Sequence, residues 1–248
     1  MVPAPPTPPG APEPVDLLWT GGWDSTFRLL EVVLDREHPV RPWYVRDAER
    51  ASTPFEKRAM ADVREGLRRT DAAAAARVLD PVEVSVAEVE PDPAITGLYR
   101  TFGIGSQYDW LARFADQRGL SALELGAVKG GGNMYRLLWD DVEPAVGRAG
   151  PTYRLVPEPS DPNLELFRRF EFPILHRTKV EMRELARERG WAELMARTWF
   201  CFQPRGGKPC GSCAPCVVAV KSGMGGRIPP LRRIRPRLRL LKRALLRS

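Results

Sequence analysis

Histidine is scarce in this sequence, with only His38 and His176 among 248 residues. Neither has an obvious serine or cysteine partner for a nucleophilic triad, so we expect surface positions or local hydrogen bonds for both. Long apolar runs are also absent, because none approaches the roughly 20 residues that a membrane-spanning helix needs. The chain opens with prolines and not with the charged and apolar regions of a signal sequence. These absences predict a cytoplasmic protein.

Acidic residues are missing from the C-terminal tail, residues 227–248, which contains nine basic side chains. Since the whole chain has a formal charge of +7, removing these nine leaves −2 for residues 1–226. A nearly neutral body does not favour a dedicated nucleic-acid-binding face. The charge of the tail predicts one of two things. Either the tail contacts nucleic acid or another anionic surface, or it is a solvated, disordered segment.

The order of segments predicts one α/β domain with short extensions. Residues 1–14 include seven prolines and are predicted to be disordered. Beyond them, short apolar segments alternate with amphipathic ones, which is typical of parallel βαβ units. The predicted strands are 15–19, 40–45, 82–86 and 122–126, and the predicted helices are 26–34, 55–67 and 107–118.

Two later segments give opposite local signals. Residues 129–162 are rich in glycine and proline and show no clear period, so we predict loops there. By contrast, Thr178 and Glu181 form a capping-box pattern, in which two side chains satisfy opposite amide donors at a helix start. The helix that begins there is predicted to run to about Arg189 and to end at Gly190.

The sequence Thr-Gly-Gly-Trp-Asp-Ser-Thr, residues 20–26, directly follows the first predicted strand. Consecutive glycines let backbone amides approach a ligand closely, and a helix N-terminus favours negative charge, so this loop predicts a phosphate site. Ser25 and Thr26 add hydroxyl donors, and Asp24 either caps the helix, orders the loop or holds magnesium. The loop lacks the Gly-Lys-Ser/Thr ending of a Walker A motif, which disfavours a kinase or GTPase.

This loop resembles the Ser-Gly-Gly-x-Asp-Ser motif of the PP-loop ATP pyrophosphatases, with Thr20 in place of the first serine. The resemblance implies that the loop binds ATP, which is cleaved to AMP and pyrophosphate. On this basis Asp24 and Ser25 are the candidate catalytic residues. The candidate ATP-binding residues are Thr20, Gly21, Gly22, Asp24, Ser25 and Thr26.

All the cysteines of the chain lie close together, with the spacing C-x8-C-x2-C-x2-C. In a cytosolic protein such a cluster indicates a metal site and not disulfides. Four thiolates would form a closed tetrahedral zinc site with a structural role. A four-cysteine iron–sulfur cluster is the alternative, and the spacing alone does not distinguish the two. The predicted ligands are Cys201, Cys210, Cys213 and Cys216.

Three stretches together make the chain similar to the 7-cyano-7-deazaguanine synthase family, a branch of the PP-loop group. They are residues 17–26, residues 172–181 (Phe-Pro-Ile-Leu-His-Arg-Thr-Lys-Val-Glu) and residues 198–216 with the cysteines. The resemblance implies a Rossmann-like α/β fold of the adenine nucleotide α-hydrolase (HUP) type over residues 15–200. It also implies a zinc-binding segment at 201–226, and ATP, Mg²⁺ and Zn²⁺ as cofactors.

The resemblance further implies a reaction, in which 7-carboxy-7-deazaguanine is adenylated and ammonia converts the adenylate into an amide and then a nitrile. The substrate segments differ, since residues 44–50 read Tyr-Val-Arg-Asp-Ala-Glu-Arg where the family has an Asp-Tyr-Gly-Gln-Arg-His type segment. We therefore predict an ATP-dependent carbon–nitrogen ligase for this or another small carboxylate, with ammonia or another amine. The candidate substrate residues are Lys129, Asn133 and Lys179, the first two just after the fourth predicted strand.

Two other hypotheses stand beside this one. The first is a PP-loop enzyme that modifies tRNA, in which the basic tail contacts RNA and the cysteines hold an iron–sulfur cluster. The second is a noncatalytic module that binds nucleotide or nucleic acid.

Leucines interleave with arginines after Pro236, which predicts an amphipathic surface helix in the tail. The remaining partner prediction is a second copy of the chain, in a homodimer.

Overall fold

The computed structural model describes residues 12–99, 102, 104–130 and 133–234. The predictions for most of the proline-rich N-terminus, and for the tail beyond residue 234 with its helix after Pro236, lie outside these residues. Strands and helices alternate through the first half of the described chain, as the sequence predicts.

The strands of the described chain form two sheets. A parallel sheet of five strands has the order β3-β2-β1-β4-β7, and β5 pairs with β6 in an antiparallel hairpin. Val15 lies opposite Val40 across the β1–β2 pair, and Leu17 lies opposite Glu124 across the β1–β4 pair. This topology confirms the general prediction of a Rossmann-like α/β fold. The strands are β1 (Val15–Leu18), β2 (Val40–Arg46), β3 (Val82–Ser85), β4 (Leu123–Glu124), β5 (Val142–Gly147), β6 (Gly150–Leu155) and β7 (Phe170–Glu171).

The helices connect these strands and cover the parallel sheet. They are α1 (Trp23–Leu30), α2 (Thr53–Thr70), α3 (Ala72–Ala76), α4 (Pro93–Tyr99), α5 (Gln107–Gln117), α6 (Asn133–Leu138), α7 (Lys179–Glu188), α8 (Ala192–Ala196) and α9 (Ala214–Lys221). A π-helical turn, Glu31–Asp35, continues α1. Short 3-10 helices occur at Val86–Glu88, Pro162–Phe167, Gly225–Arg227 and Pro230–Arg233.

The capping box that the sequence predicts at the start of α7 is present. The Thr178 hydroxyl accepts a hydrogen bond from the Glu181 amide at 3.2 Å, and the Glu181 carboxylate accepts one from the Thr178 amide at 2.7 Å. Gly190 follows the helix with φ +75°, a left-handed conformation that stops it. Local sequence therefore fixes both ends of this helix.

The prediction of loops throughout residues 129–162 is wrong. This region contains α6 and the hairpin of β5 and β6. Each hairpin strand includes a proline, and Gly147 pairs with Gly150 at the turn. The amino-acid composition of the hairpin is therefore typical of a loop. In a sheet of only two strands, both strands are edges, and edge strands tolerate proline. Pairing between the strands overrides the weak local preference for a strand.

Two apolar clusters pack on the faces of the parallel sheet. One includes α1, α2, α7 and α8, and contains an edge-to-face pair of Phe27 and Trp191 at 5.9 Å between ring centroids. The other includes α5 and the turn at Pro162–Phe167, and contains a similar pair of Trp43 and Phe114 at 5.4 Å. The sheet is thus the middle layer of three, with the ends of its strands at the edge of the core.

A buried ion pair fixes α1 to the middle of the sheet. The Arg28 guanidinium donates two hydrogen bonds to the Glu124 carboxylate, Nε to Oε2 at 2.8 Å and Nη2 to Oε1 at 2.7 Å. Arg28 also pairs with Glu31 at 2.8 Å, and all three side chains are buried. Burial raises the pKa of Glu124, while the bidentate contact with Arg28 favours its ionised form. This network holds the helix that follows β1 against β4.

Candidate functional site

A cavity of about 670 Å³ lies at the carboxyl ends of β1, β2 and β4. The chain proceeds from β1 to β2 and β3 in one direction across the sheet, and then places β4 and β7 on the other side of β1. Open α/β sheets bind ligands in the crevice at such a reversal of strand order. The volume falls within the ordinary range for a small-molecule site.

The loop between β1 and α1 forms one wall of this cavity. We call residues 20–25 the glycine loop. Gly22 is the N-cap residue of α1, and no side chain caps the helix. The amides of its first turn therefore lack the usual side-chain acceptor and are available to a ligand. A phosphate at this position would also interact with the positive end of the helix dipole.

Two glycines make the packing around this loop feasible. Gly21 has φ +66°, and a Cβ atom there would lie 2.9 Å from the Glu56 carbonyl oxygen of α2. Gly126 follows β4, and a Cβ atom there would lie 3.2 Å from the Ser25 amide nitrogen and 3.4 Å from the Asp24 Cβ. Sequence reasoning did not identify Gly126 as part of the site, because its role depends on an approach between distant segments.

Lys179, the first residue of α7, forms an ion pair with Asp24 of the glycine loop. Both side chains border the cavity and are mostly shielded from solvent, with 14% of the Lys179 side chain and 25% of the Asp24 side chain exposed. The capping box around Thr178 fixes the start of α7, and so fixes where this ammonium group enters the cavity. The structural and ligand-binding interpretations of Lys179 are therefore compatible.

The candidate residues fall into two groups, those that line the cavity and those that do not. Thr26 lies beneath the loop, where its fully buried hydroxyl accepts a 2.9 Å hydrogen bond from the Trp19 indole. Gly21 belongs to the loop but packs against α2 and does not line the cavity. Lys129 is exposed and points elsewhere, with its ammonium 5.8 Å from the centre of the Trp139 ring. The candidates that line the cavity are Thr20, Gly22, Asp24, Ser25, Asn133 and Lys179.

The two histidines lie apart from this cavity. The His38 Nε2 atom lies 2.8 Å from the carbonyl oxygen of Glu13, a solvent-exposed hydrogen bond between residues 25 positions apart. His176 packs among aromatic rings, with centroids 4.3 Å from Tyr153 and 4.9 Å from Trp139. Burial, together with the charge of Lys129, lowers the pKa of His176. Neither histidine is placed to act on a ligand in the cavity.

A second wall, adjacent to the glycine loop, is the segment that leads into the cysteines, residues 198–202, which we call the aromatic wall. Its Trp199 amide donates a 2.8 Å hydrogen bond to the Gly21 carbonyl, so the two walls touch. The Trp199 ring stacks on Phe55 of α2 at 4.6 Å between centroids. Phe200 and Phe202 border the cavity. The closely spaced aromatic residues around the first cysteine are the sequence signal that could have revealed this wall.

Two arginines rest on the aromatic wall. The guanidinium carbon of Arg50 lies 5.2 Å from the centre of the Phe202 ring, and that of Arg227 lies 5.6 Å from the centre of the Phe200 ring. Both arginines border the cavity. Partial burial lowers the pKa of Arg227, although a guanidinium remains charged at neutral pH. From the sequence, Arg227 was predicted only as part of the basic tail and not as a cavity residue.

The four cysteines form a cluster in which all the sulfur atoms lie within 4.8 Å of one another. Two Sγ–Sγ distances are 3.9 Å, from Cys210 to Cys216 and from Cys201 to Cys213. The amides of Ser212 and Cys213 both donate to the Cys210 sulfur at 3.3 Å. Such amide contacts stabilise thiolates and orient metal ligands. The arrangement could hold one metal ion.

The proton affinities of the thiols differ within this cluster. A hydrogen bond from the Cys216 thiol lowers the pKa of Cys213 to about 4. Burial raises the pKa of Cys201 to about 11. A metal ion that binds all four sulfurs would therefore displace protons, and its affinity would increase with pH.

Comparisons with known proteins leave the site to be interpreted from its own geometry. No family model matches the chain, and a search of curated proteins finds no significant match. Among the described residues, every helix is too short or too polar to cross a lipid bilayer.

Proposed function

We propose that this chain is a PP-loop ATP-dependent enzyme that adenylates a small carboxylate and transfers the acyl group to ammonia or another amine. One observation carries the proposal. The uncapped first turn of α1, the Ser25 residue and the Lys179 ammonium group all border the same cavity at the reversal of strand order. Backbone amides, a hydroxyl group and a cation together suit a polyphosphate.

The proposed reaction begins with attack by a carboxylate oxygen of the acid on the α-phosphorus of ATP. The bond from that phosphorus to the bridging oxygen breaks, and pyrophosphate leaves. Ammonia then attacks the carbonyl carbon of the acyl adenylate, a proton is lost, and AMP leaves with the former carboxylate oxygen. The product is an amide. With 7-carboxy-7-deazaguanine, a second ATP would adenylate the amide oxygen and release pyrophosphate, and loss of AMP and protons would then give the nitrile.

The residues of the glycine loop have distinct roles in this proposal. The amides at the start of α1 and the Lys179 ammonium stabilise the charge on the phosphates, and the Ser25 hydroxyl donates a further hydrogen bond. Asp24 positions Lys179 through their ion pair. When Mg²⁺ is bound with ATP, it neutralises phosphate charge, and the Asp24 carboxylate is the candidate protein ligand beside it.

The cysteine geometry favours Zn²⁺ over an iron–sulfur cluster. A tetrahedral zinc site with Zn–S bonds of about 2.3 Å places its sulfurs roughly 3.8 Å apart, close to the two distances of 3.9 Å in this cluster. In a four-iron cluster each cysteine binds a different iron atom, so the cysteine sulfurs are more widely separated. Because all four ligands are protein sulfurs, the ion would have a structural role.

The test is the nucleotide product formed by the zinc-loaded protein with Mg-ATP, ammonium and 7-carboxy-7-deazaguanine or other small acids. We expect AMP, with an amide or nitrile detected by mass. Asp24→Ala should reduce AMP formation by at least about 100-fold, because it releases Lys179 from its position. The control is Asp62→Ala, which removes an exposed carboxylate on α2 and should leave the rate unchanged. Bound ATP without AMP formation for every acid would contradict the proposal.

A second candidate, a PP-loop enzyme that modifies tRNA, is favoured by the charge distribution. No acidic residue occurs in residues 194–248, whereas 13 basic residues do. Part of this segment forms the aromatic wall of the cavity, so a bound polyanion would lie near the glycine loop. The same AMP assay distinguishes the candidates, because this one requires AMP formation that depends on tRNA and not on a free acid.

A further inference from the structure

Two arginines from different elements converge on one part of the cavity. Arg50 lies in the connection after β2, and Arg227 ends the 3-10 helix Gly225–Arg227 that follows α9. Their guanidinium groups rest on Phe202 and Phe200, which are two residues apart in the aromatic wall. Both side chains border the same cavity as the glycine loop. The fold therefore places two positive charges in the same cavity as the site assigned to the phosphates.

Neither guanidinium has a carboxylate within 4 Å among the residues that the structure describes. Arg50 contacts the amide oxygen of Gln107 at 3.4 Å, and Arg227 contacts the Thr198 hydroxyl at 3.5 Å. Both contacts are long and involve uncharged groups. The positive charges of this wall thus have no internal counter-ion in the described chain.

The acidic side chains of the cavity are already engaged. Asp24 pairs with Lys179. The Glu56 carboxylate accepts hydrogen bonds from the Tyr44 hydroxyl at 2.9 Å and the Ser52 hydroxyl at 2.6 Å. The remaining one, Asp47, accepts a bond from the Glu49 amide at 3.0 Å. None of these three carboxylates forms an ion pair with Arg50 or Arg227, so both guanidinium groups are available to an anionic ligand.

The proposed function requires two anions to meet, the triphosphate of ATP and the carboxylate of the acid. The first has its own donors at the start of α1. We propose that Arg50 and Arg227 bind the second, and so form the carboxylate subsite of the enzyme. This inference rests on the proposed function and assigns residues to its acid substrate.

The chemistry of the guanidinium supports this assignment. A guanidinium that rests on an aromatic ring keeps its N–H edge free, and this edge matches the two oxygens of a carboxylate. Contact with the carboxylate also reduces its repulsion from the triphosphate, which favours attack on the α-phosphorus. The partial burial of Arg227 has an electrostatic cost, which a bound anion offsets.

The experiment compares acids with their uncharged carboxamides as ligands of the zinc-loaded, full-length protein, in the presence of α,β-methylene-ATP. The probes are 7-carboxy-7-deazaguanine, indole-3-carboxylate, nicotinate and benzoate, each titrated by calorimetry beside its amide. We expect at least one acid to bind about 10-fold or more tightly than its amide. Arg227→Gln and Arg50→Gln should each reduce this preference by about 10-fold, since each removes a charged hydrogen bond.

Matched variants separate this role from a general effect of charge or folding. Arg205→Gln removes the same charge from the cysteine-rich segment but not from the cavity wall, so the preference should persist. Arg227→Lys keeps the charge and loses the planar fork, and should give an intermediate preference. In every variant the affinity for the ATP analogue should stay within about twofold, which also reports an intact glycine loop.

Two results would overturn the inference. One is that no acid in the panel binds more tightly than its amide, and the other is that Arg227→Gln and Arg205→Gln behave alike. Failure of the proposed function would look different. The preference for acid would then be present and would depend on Arg227, while no AMP is formed. Conversely, the Arg227→Gln variant could form AMP and still bind the acid more tightly than its amide by the same factor. That result would support the proposed reaction and reject this carboxylate subsite.

Discussion

The two walls of the cavity are built from different kinds of interaction. The glycine loop lies against the main sheet, where its supports belong to an extensive apolar cluster that includes Phe27 and Trp191. The segment of residues 201–228, which we call the cysteine segment, has a core of only five buried residues, and three of them are cysteines. Burial of apolar surface therefore suffices to hold the first wall, whereas the second depends on what the four sulfurs bind.

Among changes that affect one wall and not the other, loss of the metal should have the largest effect. We expect Cys210→Ser to abolish stoichiometric zinc binding, because it removes one of the four thiolate ligands. The loss should be large, since structural zinc contributes about 10–16 kcal/mol in zinc-finger peptides. Hydrogen exchange should then become rapid across the cysteine segment, while β1 and β2 keep their protection. Ser212→Ala is the control, since Ser212 contacts the Cys210 sulfur at 3.4 Å without being a predicted ligand. Equal loss of protection in the sheet would show that the walls fold as one unit.

Loss of the buried ion pair between Arg28 and Glu124 should instead destabilise the sheet and leave the cysteine segment ordered. Arg28→Met leaves the Glu124 carboxylate buried without its partner, so the free energy of unfolding should decrease by about 3–5 kcal/mol. Urea denaturation measures this change, and zinc should remain bound until the whole domain unfolds. Arg58→Met, which removes an exposed ion pair on α2, should change stability by less than about 1 kcal/mol. A small cost for Arg28→Met would mean that Glu124 is neutral or hydrated.

The smallest of the three expected effects concerns the backbone of the glycine loop. Gly21→Ala and Gly119→Ala both force alanine into a positive φ, +66° and +62°, but only Gly21 has neighbouring atoms within 4 Å of the added Cβ. We expect a loss of about 1 kcal/mol for Gly119→Ala and about 1–3 kcal/mol for Gly21→Ala. Thermal unfolding measures the loss of stability in both variants. Only Gly21→Ala should also weaken the binding of an ATP analogue, and equal behaviour of the two variants would reject the close contact with α2.

Local signals in the sequence predicted much of the sheet and the glycine loop. The alternation of segments gave the first strands and helices to within a few residues, although α1 begins at Trp23 and not at residue 26. The capping box at Thr178 and Glu181 is a pattern of four residues and forms as expected. The four cysteines converge because their spacing is short. All these features are determined by residues close together in the chain.

Features that depend on distant contacts were not predicted. Arg28 and Glu124 are separated by 96 residues, and nothing near either one indicates that they pair. The β5–β6 hairpin was missed because its prolines and glycines have weak strand preferences. Arg227 was assigned to the basic tail and not to the cavity, yet the 3-10 turn at Gly225–Arg227 places it on Phe200. Such contacts follow from tertiary packing, which overrides local preference.

The hydrogen bond from Trp199 to Gly21 has a thermodynamic consequence for both walls. On the proposed function, a metal that orders the cysteine segment would reduce the conformational entropy that the glycine loop loses when it binds a nucleotide. Coupling of this kind is reciprocal, so a factor by which the metal strengthens nucleotide binding is the same factor by which the nucleotide strengthens metal binding. If the proposed function holds, a bound nucleotide should protect the protein against chelators, and the supply of zinc should set its apparent affinity for ATP.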